Sequence, residues 1–145
     1  MEDVKSVIEK VWHKDGYTLA VVFHPYGYRC GYVGVPKTSY FYNRNCANMY
    51  WEGETTINYS EDHVTGINET DKWFIGFSHH LNAEGIDTDA AKEYYGKEYA
   101  NELKHMCAFV SPYTKYLQFV VEEEVEILYK QIREDEKIYS SKEIK

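Results

Sequence analysis

The chain has 145 residues, 43% hydrophobic and 28% charged, an ordinary composition for one folded domain that needs no disulfides. Its net charge of −8 and its three arginines, Arg29, Arg44 and Arg133, provide no basic stripe, which excludes duplex nucleic acid as a partner. Three scattered cysteines without a CxxC exclude a disulfide framework or a zinc site, and no run of roughly 18 apolar residues exists to span a membrane.

The opening MEDVKSVIEK lacks the apolar core of a secretory signal, so a reducing cytoplasm is expected. Val11 to His13 and Tyr17 to Phe23 flank Lys14-Asp15-Gly16, and Asp-Gly between β-formers predicts a hairpin. Tyr28 to Val35 follows as a third strand, closed by Pro36 and interrupted by Gly31 and Gly34. Glycines inside a strand signal bulges or a close approach of neighbouring groups. Residues 37–54 then form a long polar loop. Thr55 to Tyr59 reads as a short strand, residues 60–71 as a polar turn region, and the apolar run Lys72 to Ser78 as a central strand.

The second half reads as helix. Asp87 is an N-cap candidate, and Ala91, Tyr95, Tyr99 and Leu103 repeat every four residues, weakened by Gly96. Ser111 and Pro112 predict the start of a last helix. Its apolar stripe of Leu117, Val121, Val125, Leu128 and Ile132 must pack on one face of the sheet. The expectation is therefore an α+β fold, an N-terminal antiparallel sheet packed by C-terminal helices. Residues 1–134 form one domain, and 135–145 form a charged, frayed tail.

Aromatic residues make up 17% of the chain, including 15 tyrosines. Tyr40, Phe41, Tyr42, Tyr50 and Trp51 all fall in the long loop, which is too aromatic for a disordered linker. Tyr40, Tyr42 and Trp51 could stack on a flat ring, Lys37 and Arg44 could hold phosphates, and Thr56 and Asn58 could hydrogen-bond a base edge. The competing reading is that these aromatics pin the loop to the sheet or build an oligomer interface. No nucleophile elbow, phosphate-binding glycine loop or metal-ligand spacing is present, so neither catalytic residue, metal nor cofactor is assigned. His79 and His80 are adjacent on a strand and point to opposite faces, which suits ordinary polar histidines better than a shared ion.

Two sequence blocks, Cys30-Gly31-Tyr32-Val33-Gly34-Val35-Pro36 and Trp73-Phe74-Ile75-Gly76-Phe77, carry a resemblance. Their order resembles a widespread family of short phage and prophage proteins with the pattern G-Y-V-x-V-P, then H-G-G-[LI]-T-[YF]-S, then W-[FW]-[IF]-G-F-D-C-x-H. The middle block is degenerate here, Trp51-Glu52-Gly53 and then Asn58-Tyr59-Ser60, without the family histidine. Ser78 replaces the family aspartate, with His79 and His80 beside it. The resemblance implies kinship with nucleotide sponges, which sequester the cyclic dinucleotide or cyclic ADP-ribose-type signals of the CBASS and Thoeris anti-phage systems. It implies a protein of the host cytoplasm that takes a small anionic nucleotide, with His79 added to the ligand-binding set, and a homo-oligomer is expected because one small domain offers little concave surface and pockets favour subunit interfaces. Loss of the Asp/His pair favours binding without turnover. The alternatives are a phosphodiesterase or lyase acting on such a nucleotide, and a protein-binding inhibitor of a host defence factor.

Overall fold

The computed structural model describes residues 4–80, 85–106 and 114–143, with side chains through residue 139. Five strands, β1 (Val7–Lys14), β2 (Tyr17–Phe23), β3 (Arg29–Pro36), β4 (Ile57–Glu61) and β5 (Lys72–Ser78), precede three helices, α1 (Thr88–Tyr95), α2 (Lys97–Met106) and α3 (Gln118–Glu143). Every strand pair is antiparallel, in the order β1-β2-β3-β5-β4. The fold is α+β, as expected. The Asp-Gly hairpin forms: Asp15 and Gly16 both have positive φ, 51° and 84°, the geometry that matches the twist of the flanking strands.

The glycine-bearing blocks Cys30 to Pro36 and Trp73 to Phe77 lie in the paired central strands β3 and β5. Gly31 faces Phe77, Gly34 faces Phe74 and Tyr32 faces Gly76 across the β3–β5 ladder. Each ring lies over the glycine opposite it. A Cβ on Gly34 would sit 2.7 Å from the Phe74 ring, and one on Gly31 would sit 2.6 Å from Val125. The glycines are therefore close-approach positions, one of the two readings open from the sequence, and they let rings cover the backbone on both faces of the sheet.

Helix α3 crosses the inner face. Val121, Val125, Leu128 and Ile132 are fully buried there against Leu19, Val21, Val33, Val35, Ile75 and Phe77. Lys10 pairs with Glu122 at 2.7 Å, and Trp12 Nε1 donates to Glu126 at 2.8 Å, which ties the edge strand β1 to the helix. Leu117 departs from the expected stripe. It is 40% exposed and precedes the helix, its carbonyl accepting from Val120 and Val121. Ser111 and Pro112 lie outside the described residues.

Two further expectations are corrected. The tail is not frayed through residue 143: α3 continues to Glu143, Glu136 accepts hydrogen bonds from Tyr17 (2.6 Å) and Ser39, and Tyr139 stacks on Tyr40 at 4.9 Å. Charge alone suggested fraying, but that carboxylate and ring both have docking partners on the sheet side. The Ala91–Leu103 periodicity is also split at Gly96 (φ 99°), whose N–H caps α1 on the Lys92 carbonyl. The short helices α1 and α2 close around Phe23 through Ala90, Ala91, Ala100 and Leu103. Among the described residues no helix is long and apolar enough to cross a membrane.

Candidate functional site

The long loop is a series of tight turns, with Ser39, Tyr42, Arg44 and Met49 each donating to a carbonyl three residues earlier. Asn43 and Asn48 take left-handed conformations (φ 60° and 66°), which Asn tolerates better than most residues. Most of its aromatics turn inward. Phe41, Cys46 and Trp51 belong to the inner core, and Tyr40, Tyr42 and Met49 pack against it. Trp51 stacks on Phe77 at 4.7 Å and donates Nε1 to the Thr55 carbonyl at 2.6 Å. Arg44 is exposed. Its guanidinium lies over the Tyr40 ring at 3.9 Å and donates to the Tyr40 carbonyl. Lys37 and Thr56 are exposed.

The expected set is therefore spread along the sheet. Lys37 follows the Pro36–Lys72 end of the β3–β5 ladder, whereas Asn58 and His79 lie at the Cys30–Ser78 end. Six strand residues separate these ends, roughly 20 Å. Tyr40 lines a cavity of about 290 Å³ near the first end, with Ser39, Arg133, Glu136 and Lys137. At the second end lie two further clusters, one on each face of the sheet.

On the inner face, His79 is 1% exposed. Its Nε2 meets Glu124 Oε1 at 2.8 Å, and its ring stacks on Tyr116 at 3.6 Å. The Tyr116 hydroxyl donates to Glu54. That hydrogen bond holds the Glu54 carboxyl below its ordinary range, while burial and Glu54 raise the tyrosine. In the neutral imidazole a carboxylate at Nε2 requires the proton there, which makes Nδ1 an acceptor. Among the described residues, Nδ1 and Thr55 Oγ1 are buried without a hydrogen-bond partner. Arg29 adjoins this group, donating to the Tyr116 carbonyl at 3.1 Å and pairing with Glu9 (2.6 Å) and Asp87 (2.8 Å). Burial opposes the Arg29 charge, but the two carboxylates outweigh it and raise its pKa. A cavity of about 430 Å³ here is lined by Arg29 together with Glu9, Asp87, Asp89 and Glu93, so its carboxylates outnumber its one guanidinium and the net field disfavours anions.

On the outer face, the β2–β3 connection presents three rings. The His24 N–H donates to the Tyr28 carbonyl, and the two rings stack at 4.4 Å with planes 10° apart. Tyr26 lies 5.2 Å from His24 and is 54% exposed. Gly27 (φ 90°) makes this turn, and any Cβ there would strike Leu103 and Ile86 at 2.8 and 2.9 Å. Helix α2 thus approaches closely and forms, with the rings, a cavity of about 440 Å³ lined by Tyr26, Tyr28, His80, Ile86, Leu103 and Met106. This is an ordinary size for a small-molecule site. Burial and the nearby His80 hold the His24 pKa below 6.5, and burial, with Cys30 and Tyr26, pushes Tyr28 up to about 12.

Asn58 connects to this cavity. It occupies the irregular position of the β4–β5 ladder, between Ile57 and Tyr59, and its Nδ2 donates to Ser78 Oγ at 2.9 Å. Ser78 Oγ in turn contacts His80 Nδ1 at 2.6 Å. Of the residues expected from the sequence, the structure brings Trp51, Asn58 and His79 to this end of the sheet. Sequence reasoning missed the ring cluster His24-Pro25-Tyr26-Gly27-Tyr28, whose signal was three aromatic rings packed around a glycine in one short connection.

Among the described residues, no group of three or more His, Cys, Asp or Glu side chains is placed to hold a metal ion. No protein-family model, curated protein or solved structure matches the chain.

Proposed function

We propose that this protein binds a small nucleotide-class ligand and holds it without converting it, with a base of the ligand in the outer-face cavity. The observation that carries this reading is the cavity of about 440 Å³ walled by Tyr26, Tyr28 and His80, backed by the His24–Tyr28 stack. Stacking on such rings contributes about 1–3 kcal/mol per base. The biological role that follows is that of a phage anti-defence protein, removing a cyclic nucleotide immune signal from the host cytoplasm. A cyclic dinucleotide has two bases and this cavity is assigned to one of them, so the acting form is a homo-oligomer with the second base held by a second copy. The loop residues Lys37, Tyr40, Tyr42, Arg44 and Thr56 are assigned mainly to loop structure. Tyr40 and Trp51 in particular have intramolecular ring partners.

The test is incubation with a panel of cyclic dinucleotides and cyclic ADP-ribose-type nucleotides, followed by filtration and heat denaturation. Sequestration predicts that the nucleotide is retained with the protein and released intact on heating. A single observation favours a second reading, that of a nucleotide-degrading enzyme: the His79–Glu124 hydrogen bond orients an Nδ1 that has no partner among the described residues and could act as a general base. That reading predicts a cleaved product, lost in His79→Gln.

A further inference from the structure

The outer-face cavity also carries information about which ring it accepts, an inference that rests on the reading of this cavity as the ligand site. Among the described residues, the six that line it include no Lys, Arg, Asp or Glu. Burial first, and the neighbouring His80 second, lower the His24 pKa from its ordinary value. The ring-bearing part of the ligand is therefore met by aromatic faces and aliphatic groups, without a formal charge to hold a phosphate there.

The polar edge of the cavity is His80, and its tautomer follows from its neighbours. Asn58 Nδ2 donates into Ser78 Oγ at 2.9 Å. A hydroxyl that accepts in this way has its own proton to pass on, and the group at 2.6 Å is His80 Nδ1. A chain running Asn58 to Ser78 to His80 in one direction is cooperative. It makes Nδ1 the acceptor and places the imidazole proton on Nε2. His80 is exposed and lines the cavity, so Nε2–H is a donor available at its rim.

We infer that the cavity selects an uncharged heteroaromatic ring that presents a hydrogen-bond acceptor, a bare ring nitrogen or a ring carbonyl, to His80 Nε2, with Tyr28 and Tyr26 as its stacking walls. Asn58 and Ser78 are positioning residues for that donor. A purine or pyrimidine base meets the requirement. A sugar phosphate does not, and neither does a ring that offers only an N–H.

The experiment uses three small probes on the full chain at pH 8, followed by NMR of the His80 and Tyr28 side chains. Benzimidazole has a bare ring nitrogen, indole has the same shape with an N–H donor only, and ribose 5-phosphate has charge without a ring. Benzimidazole is expected to shift both side chains and to bind about tenfold tighter than indole, the worth of one hydrogen bond. Ribose 5-phosphate is expected to leave both unmoved. His80→Ala, an exposed position that leaves the core intact, should bring the two rings to parity, and Ser78→Ala should reduce the preference in the same direction. Equal binding of indole and benzimidazole to the unaltered chain, a response to ribose 5-phosphate alone, or no response to any probe would each overturn the inference. If cyclic nucleotides are not retained while benzimidazole still binds, the sequestration reading fails and this one stands. If they are retained equally by His80→Ala, the ligand sits elsewhere and this inference falls.

Discussion

Gly76 lies beneath the Tyr32 ring, and a Cβ there would come within 2.7 Å of the Gly31 carbonyl oxygen as well as striking the ring. The ring could shift, but the backbone of a central strand cannot do so cheaply. Gly76→Ala is therefore expected to lower the stability by about 1–3 kcal/mol, as overpacking does, read as a lower urea midpoint at unchanged slope. Arg29 presents the opposite hazard. Its side chain is 4% exposed between Glu9 and Asp87, which are 1% and 8% exposed. Arg29→Ala would leave two carboxylates facing each other without a cation, and the expected loss is about 3–5 kcal/mol. Neither cost was visible from residue type alone. A glycine in a strand announces a close approach without naming the ring, and an arginine announces a partner without saying whether that partner is a ligand or the protein.

At the scale of elements, periodicity made the sheet and α3 legible. Alternation and the Asp15-Gly16 turn located the hairpin, and a four-residue stripe located the face of α3 that is buried. Val125→Ala removes two methyl groups from a fully buried site and should cost about 1–3 kcal/mol. The loop was harder to read because burial in a chain of tight turns has no period. Trp51 and Phe41 look identical in sequence whether they face solvent or core. The end of α3 was misjudged for a related reason: a charged composition does not reveal that Glu136 is met by Tyr17, Ser39 and Arg133. Cutting the chain after Glu134 removes that carboxylate and the Tyr139 ring together. The expected loss is about 1–3 kcal/mol, whereas a frayed tail would give an unchanged melting curve.

For the molecule as a whole, the candidate site was only partly legible, because its walls come from the β2–β3 connection, the end of β5 and α2, which no local pattern joins. The same assembly fixes the response to acid. His24 resists protonation in the folded state, through burial first and the charge of His80 second, so its pKa is below 6.5. The unfolded chain takes up that proton more readily, and stability falls as the pH drops beneath about 6.5, until His24 is protonated in the folded state too. Glu69 and Glu126 act lower on the scale. Burial raises both, but hydrogen bonds from Thr18 and His13 to Glu69, and from Lys14 and Trp12 to Glu126, outweigh it and hold them below 4.5. Their contribution is complete above the unfolded carboxylate value and is lost as the pH falls through the depressed folded values. The net charge of −8 works in the other direction, since acidification relieves self-repulsion, so the unaltered chain alone cannot isolate the histidine. The comparison that does is His24→Gln against the unaltered chain at constant ionic strength. Their unfolding midpoints should keep a constant separation above about pH 7 and diverge in the variant's favour as the pH falls through about 6.5, before the carboxylates titrate in both. Parallel curves across that window would mean that His24 is as free to take a proton as in the unfolded chain, and that the ring stack against Tyr28 is open to water.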